Sequence, residues 1–75
     1  MARIIWRMKL NAEKLRSARR VRGLRQQDVA TLAGVGLRTI TRVEQGYVPS
    51  NDRLLKIAEV LGVAAEDLFI TEGAA

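Results

Sequence analysis

Arg38 and Arg42 stand one helical turn apart in a chain of 75 residues, and their type and spacing suit them to reading a base edge. A guanidinium donates two parallel hydrogen bonds to guanine O6 and N7 in the major groove. A four-residue spacing sets both groups on one face of a helix. On a helical projection Leu37, Thr41 and Gln45 share that side, while Ile40 and Val43 share the opposite one. Thr41 offers a hydroxyl to a base or a phosphate, or stands as an exposed bystander. Leu37 is apolar: it packs on a thymine methyl, or it belongs to the core or to a dimer surface. Thr39 sits at the edge of the buried side and reads as mainly structural. Other chemistries are poorly provided for. With no cysteine and no histidine, the chain lacks the thiolate and imidazole of the usual nucleophile–base and zinc sites. The phosphate-binding glycine motifs GxGxxG and GxxxxGK are missing. The expectation is no enzyme, no cofactor, no metal and no small-molecule ligand.

The segment that must position the two arginines is QQDVATLAGVGLRTITRVEQG, residues 26–46. Val29, Leu32 and Ala33 follow the i, i+3, i+4 spacing of one helix face. Gly34 then breaks the run, because glycine takes the positive φ of a sharp turn. A second helix is expected over 37–45, ended by Gly46. Ala30 is small where the two helices would cross, so their backbones can approach closely. Two helices at a steep angle, joined by a short turn containing glycine, form a helix-turn-helix unit. Before it, Asn11 caps a helix over about 12–22, with Glu13 in the first turn and Gly23 past the end. Leu15 and Ala18 face inward and Val21 lies near that side. After it, Ser50 caps a fourth helix with the apolar stripe Leu54, Ile57, Ala58 and Leu61, and Gly62 ends it. A short fifth helix over about 64–69 adds Leu68 and Phe69.

Residues 1–10, MARIIWRMKL, alternate: Ala2, Ile4, Trp6, Met8 and Leu10 would face one way in a strand. A strand needs a partner. The candidates are its two-fold copy or the segment around Leu68–Thr71. The other reading is a basic arm whose Arg3, Arg7 and Lys9 reach a minor groove. The apolar run is too short for a signal peptide or a membrane span. One domain is expected over 11–71, with 1–10 as strand or arm and 72–75 as a tail. Hydrophobic residues are 48% of the chain and aromatics 4%, which fits a small aliphatic helical core better than a sheet sandwich. The net charge is +5 and is unevenly placed. Up to Arg25, nine cations face Glu13 alone, whereas from residue 51 acidic residues outnumber Arg53 and Lys56. A basic half beside a helix-turn-helix points to a polyanion. The absence of cysteine is compatible with a reducing, cytoplasmic setting.

In one register, the chain carries Leu15-Arg16-x-Ala18-Arg19-x-x-x-Gly23-Leu24-x-Gln26. The central motif follows, Val29-Ala30-x-x-Ala33-Gly34-Val35-x-x-x-Thr39-Ile40-x-Arg42-Val43-Glu44-x-Gly46. Then come Pro49-Ser50, Leu54-Leu55-x-Ile57-Ala58-x-x-Leu61-Gly62-Val63 and Asp67-Leu68-Phe69. Over about 55 residues this resembles the phage-repressor-like (Cro/repressor, XRE) helix-turn-helix family. The resemblance implies an all-α, five-helix lambda-repressor-like domain, here with an N-terminal β-strand or arm. It implies a transcriptional regulator, a repressor by occupancy, that binds double-stranded DNA as a homodimer. Gln26 and Gln45 match positions that contact phosphates. Arg25 stands where the family caps helix 2 with Ser or Thr, which weakens the cap but sets a cation beside the phosphate. Tyr47 offers a hydroxyl to a phosphate or packs against helix 4. Arg19 and Glu44 match a partly buried ion pair tying helix 1 to helix 3. Ile4, Trp6 and Met8 are the candidate dimerisation residues. Gly36 and Ala64 replace the caps usual for helices 3 and 5. A protein–protein interaction module or antitoxin-type partner built on the same fold is the alternative.

Overall fold

The computed structural model describes residues 7–72. Strands β1 (Arg7–Leu10) and β2 (Phe69–Glu72) form an antiparallel ribbon, with Arg7 opposite Glu72 and Leu10 opposite Phe69. The Asn11 N–H donates to the Leu68 carbonyl at 2.7 Å and extends this contact by one residue. Ile4 and Trp6 lie outside the described residues. Between the strands run helices α1 (Ala12–Val21), α2 (Gln26–Ala33), α3 (Leu37–Val43) and α4 (Asn51–Leu61), followed by a 3₁₀ turn, Ala65–Leu68.

Short-range chemistry explains most helix ends. The Asn11 side chain accepts from the Lys14 backbone N–H at 3.1 Å and starts α1. At α2 the N-cap is Arg25, which has no acceptor to offer. The reciprocal half of a capping box remains, in which the Asp28 carboxylate accepts from the Arg25 backbone N–H at 2.8 Å. Gly34 adopts φ +72° and turns the chain out of α2. Ser50 caps α4 through the Arg53 N–H at 3.4 Å. At the far end of α4, Gly62 also takes φ +72°, and a Cβ there would run into the Arg22 guanidinium. Arg22 itself donates from Nε to the Leu61 carbonyl at 2.7 Å, so a cation satisfies an orphan carbonyl at the C-terminus of α4.

Two helix expectations need correction. The expected fifth helix is the single 3₁₀ turn Ala65–Leu68, which leaves four α-helices among the described residues. Ala64 gives it no side-chain cap, and Phe69 is already extended, so no second turn can form. The expected helix 37–45 ends at Val43. There the backbone tightens into i→i+3 bonds, Gln45 N–H to Arg42 carbonyl and Gly46 N–H to Val43 carbonyl, each 2.9 Å.

The core is aliphatic. Leu15 of α1, Val29, Ala30 and Ala33 of α2, Ile40 and Val43 of α3, and Leu54, Ile57, Ala58 and Leu61 of α4 are buried, and Leu10 and Leu68 close it. Ala30 is 0% exposed, which leaves no room for a larger side chain between α2 and α3. Leu32, expected on the apolar face of α2, is 63% exposed, and Val21, expected near the inward side of α1, is 86% exposed. Leu32 lines an open groove with Lys56, Glu59 and Val60 of α4. Among the described residues, no helix is long and apolar enough to cross a membrane.

Candidate nucleic-acid interface

The arrangement of α3 depends on Glu44, the buried charged residue just after it, which is 6% exposed. Its carboxylate accepts from Arg19 Nε at 2.6 Å and Nη2 at 3.2 Å, a two-pronged pair across 25 residues. Arg19 Nη1 also donates to the Leu24 carbonyl at 3.0 Å. Gln26 Nε2 donates to Glu44 Oε1 at 3.0 Å, and Arg16 Nη1 donates to the Glu44 carbonyl at 2.7 Å. One carboxylate therefore fastens α1, the start of α2 and the end of α3. Such a network is stable only when every member has a partner. Among the described residues, no buried side-chain nitrogen or oxygen lacks one.

This network changes the roles open to several basic residues. Arg16, Arg19 and Arg22 donate to the fold itself, so three of the nine cations in the basic half are structural. Gln26 is half-buried and one of its amide N–H groups is committed to Glu44. The amide carries a second N–H besides the one given to Glu44. Arg25 is exposed and pairs with Asp28, Nε to Oδ2 at 3.3 Å. The Arg25 backbone N–H, with help from its side chain, holds the Asp28 carboxyl below the usual range. This Asp28 contact is absent from the sequence expectations above, although an acidic residue three positions after the cap is the signal for it.

On α3, Leu37, Arg38 and Arg42 are exposed and Thr41 is half-buried. Leu37, at 43% exposure, is not a core residue. The Thr41 hydroxyl donates back to the Leu37 carbonyl at 3.1 Å, which occupies its proton but leaves oxygen lone pairs. The Arg42 guanidinium lies 5.3 Å from the centroid of the Tyr47 ring, a cation–π arrangement. Tyr47 is held in the following loop by its backbone N–H to the Arg42 carbonyl at 3.0 Å, and its ring stays exposed. Gln45 is exposed in the turn after α3 rather than on the helix. Of the candidate dimerisation residues, Met8 pairs through its backbone with Thr71 of the same chain.

Known proteins resemble this chain in sequence. The family model for the helix-turn-helix matches residues 15–68. An uncharacterised HTH-type transcriptional regulator of Methanocaldococcus jannaschii is 43% identical over 60 residues, covering 79% of this chain and 91% of that protein. The HTH-type transcriptional regulator PrtR of Pseudomonas aeruginosa is 38% identical over 63 residues, 84% of this chain. There the chain spans only 25% of the relative's length.

Proposed function

The chain belongs to the XRE-type helix-turn-helix family of DNA-binding transcriptional regulators, which are not enzymes, and from that premise we propose that it is a sequence-specific repressor. In this reading α3 enters the major groove of double-stranded DNA. Arg38 and Arg42 read guanines, Leu37 packs on a thymine methyl and Thr41 touches the adjoining base. Gln26, Arg25, Gln45 and Tyr47 hold flanking phosphates and set the register. The observation that carries the proposal is the exposure of Arg38 and Arg42 on a helix anchored from behind by the Arg19–Glu44–Gln26 network. Repression follows from occupancy, because a protein seated in the groove excludes polymerase. The protein works as a homodimer in the cytoplasm, with two α3 helices one turn of DNA apart. Residues 1–10, including Ile4, Trp6 and Met8, form the contact between subunits.

The exposure of Leu37 beside Gly36 favours a second reading, an interaction module or antitoxin-type partner that uses the same face on an acidic protein. Selection from a random pool of double-stranded DNA separates the two. The repressor reading expects one enriched motif and an affinity that falls steeply with salt, by about 0.9 in log–log slope per neutralised phosphate. A pool without enrichment, together with acidic-protein binding that survives loss of both arginines, would give the second reading.

A further inference from the structure

α3 has only seven residues, so its own hydrogen bonds fix little of its pose and neighbouring elements must hold the rest. α1 packs chiefly against α4 and the 3₁₀ turn. It reaches the end of α3 through two long side chains, Arg16 and Arg19, which are three residues apart and so share one face of α1. Both go to Glu44. Arg19 donates to its carboxylate, and Arg16 Nη1 donates to its main-chain carbonyl at 2.7 Å. We propose that Arg16 is a positioning residue for DNA recognition: it holds the Glu44–Gln45 peptide, and through it the turn that presents Gln45 and Tyr47, without itself touching DNA. The proposal rests on the DNA-binding reading above and adds to it a residue that acts from behind the interface.

Three observations carry it. The first is the grip on one peptide unit. The Glu44 carbonyl and the Gln45 N–H belong to a single rigid plane and point opposite ways. Arg16 holds the carbonyl end, and the Arg42 carbonyl accepts from the Gln45 N–H at 2.9 Å. The plane cannot tilt while both ends are held. The second is what depends on that plane. The Arg42 carbonyl also accepts from the Tyr47 N–H at 3.0 Å, so the turn closes on the backbone of a residue that reads bases in this reading. The third is the place of Arg16. It is half-buried, and its cation lies at the C-terminal end of α3, where orphan carbonyls and the helix dipole favour one. Without it the Arg19–Glu44 pair and the Gln26 bond remain. The fold keeps its main clasp, and the turn after α3 loses its support from α1.

The test compares wild type, Arg16→Met, Arg16→Lys, Gln45→Ala and the double variant Arg16→Met with Gln45→Ala. Thermal unfolding verifies that each is folded at the temperature of the binding assay. In the free protein, amide hydrogen exchange at Gln45 and Tyr47 is expected to speed up in Arg16→Met. Arg16→Lys keeps a cationic donor and restores the protection. On the selected DNA, Arg16→Met is expected to lower affinity about five- to tenfold, and by much less in the Gln45→Ala background, because residues that act through one another are not additive. The salt slope keeps its wild-type value, since no cation leaves a phosphate. A slope flatter by about 0.9, with additive losses, would make Arg16 a direct phosphate contact and overturn the proposal. A lowered thermal midpoint with wild-type affinity would make Arg16 a residue of the fold alone, which also overturns it. Unchanged exchange at both amides would mean that α1 does not hold the turn. If wild type itself enriches no DNA, the functional reading fails and the positioning role fails with it, whatever the exchange rates.

Discussion

Glu44 shows how one residue can serve both stability and function. It is almost fully buried, and its carboxylate carries three hydrogen bonds, two from Arg19 and one from Gln26. Glu44→Ala leaves a guanidinium that is 12% exposed without its counter-charge. Breaking such a pair on one side costs about 3–5 kcal/mol, read as a lower urea midpoint. Replacing both partners by apolar residues, Arg19→Met with Glu44→Leu, is expected to cost less than the single change, because no unpaired charge remains. Arg38 and Arg42 behave differently, since both are exposed. Arg38→Ala and Arg42→Ala are each expected to leave the urea midpoint nearly unchanged while weakening DNA binding by about 1–3 kcal/mol and relaxing choice at one base pair. Uniform weakening across all sequences would instead place that arginine on a phosphate.

Among the elements, α2 makes the clearest demands. Its buried face meets α3 at Ala30, which is fully buried. Ala30→Leu adds side-chain volume where two backbones approach, and overpacking of this kind costs about 1–3 kcal/mol. A stable variant with full DNA affinity would sink that assignment. The N-terminus of α2 makes a pH-dependent prediction. Asp28 is held below its ordinary pKa of 3.8, first by the Arg25 backbone N–H and then by the Arg25 side chain. A carboxyl with a depressed folded pKa stabilises the fold above its unfolded pKa, and that contribution is lost as pH falls through the folded value. Asp28→Ala is therefore expected to be less stable than wild type at pH 6, with the difference closing below pH about 4. A difference in thermal midpoint that stays constant down to pH 2 would show that the cap does not titrate. The Arg25 position, a poor cap taken alone, is thus held in place by a residue three positions later.

At the scale of the molecule, the question is how two copies meet on DNA. β1 lies on β2 of its own chain, so the hydrogen bonds of its paired edge are already used. A second copy would add at the free edge or through residues ahead of Arg7. Deleting residues 1–9 is expected to convert a dimer to a monomer in light scattering and to lower affinity for a two-half-site DNA while sparing a single half-site. A truncated protein that remains dimeric and loses only its preference for A·T-rich flanks would identify the segment as a minor-groove arm.

Much of the helical frame was legible in the sequence because the signals are local. Asn11, Gly34, Ser50 and Gly62 act on neighbours within four residues, and the stripe Leu54, Ile57, Ala58, Leu61 repeats within one helix. The order of helices and the tight turn before α3 follow from those signals. What only the tertiary structure decided depends on how helices cross. Leu32 satisfies the apolar spacing of α2 and still lies 63% exposed, since periodicity marks a face without saying how wide a strip of it will be covered. Arg22 reads as surface charge, yet it donates to a carbonyl 39 residues away. Arg53 counts in the sequence only as a minority cation of the acidic half, because its place beside Arg42 and Tyr47 along one cleft exists only once α3 and α4 have both packed on α2. Local preferences are set along the chain, whereas these contacts are set by packing, which no short stretch of sequence contains.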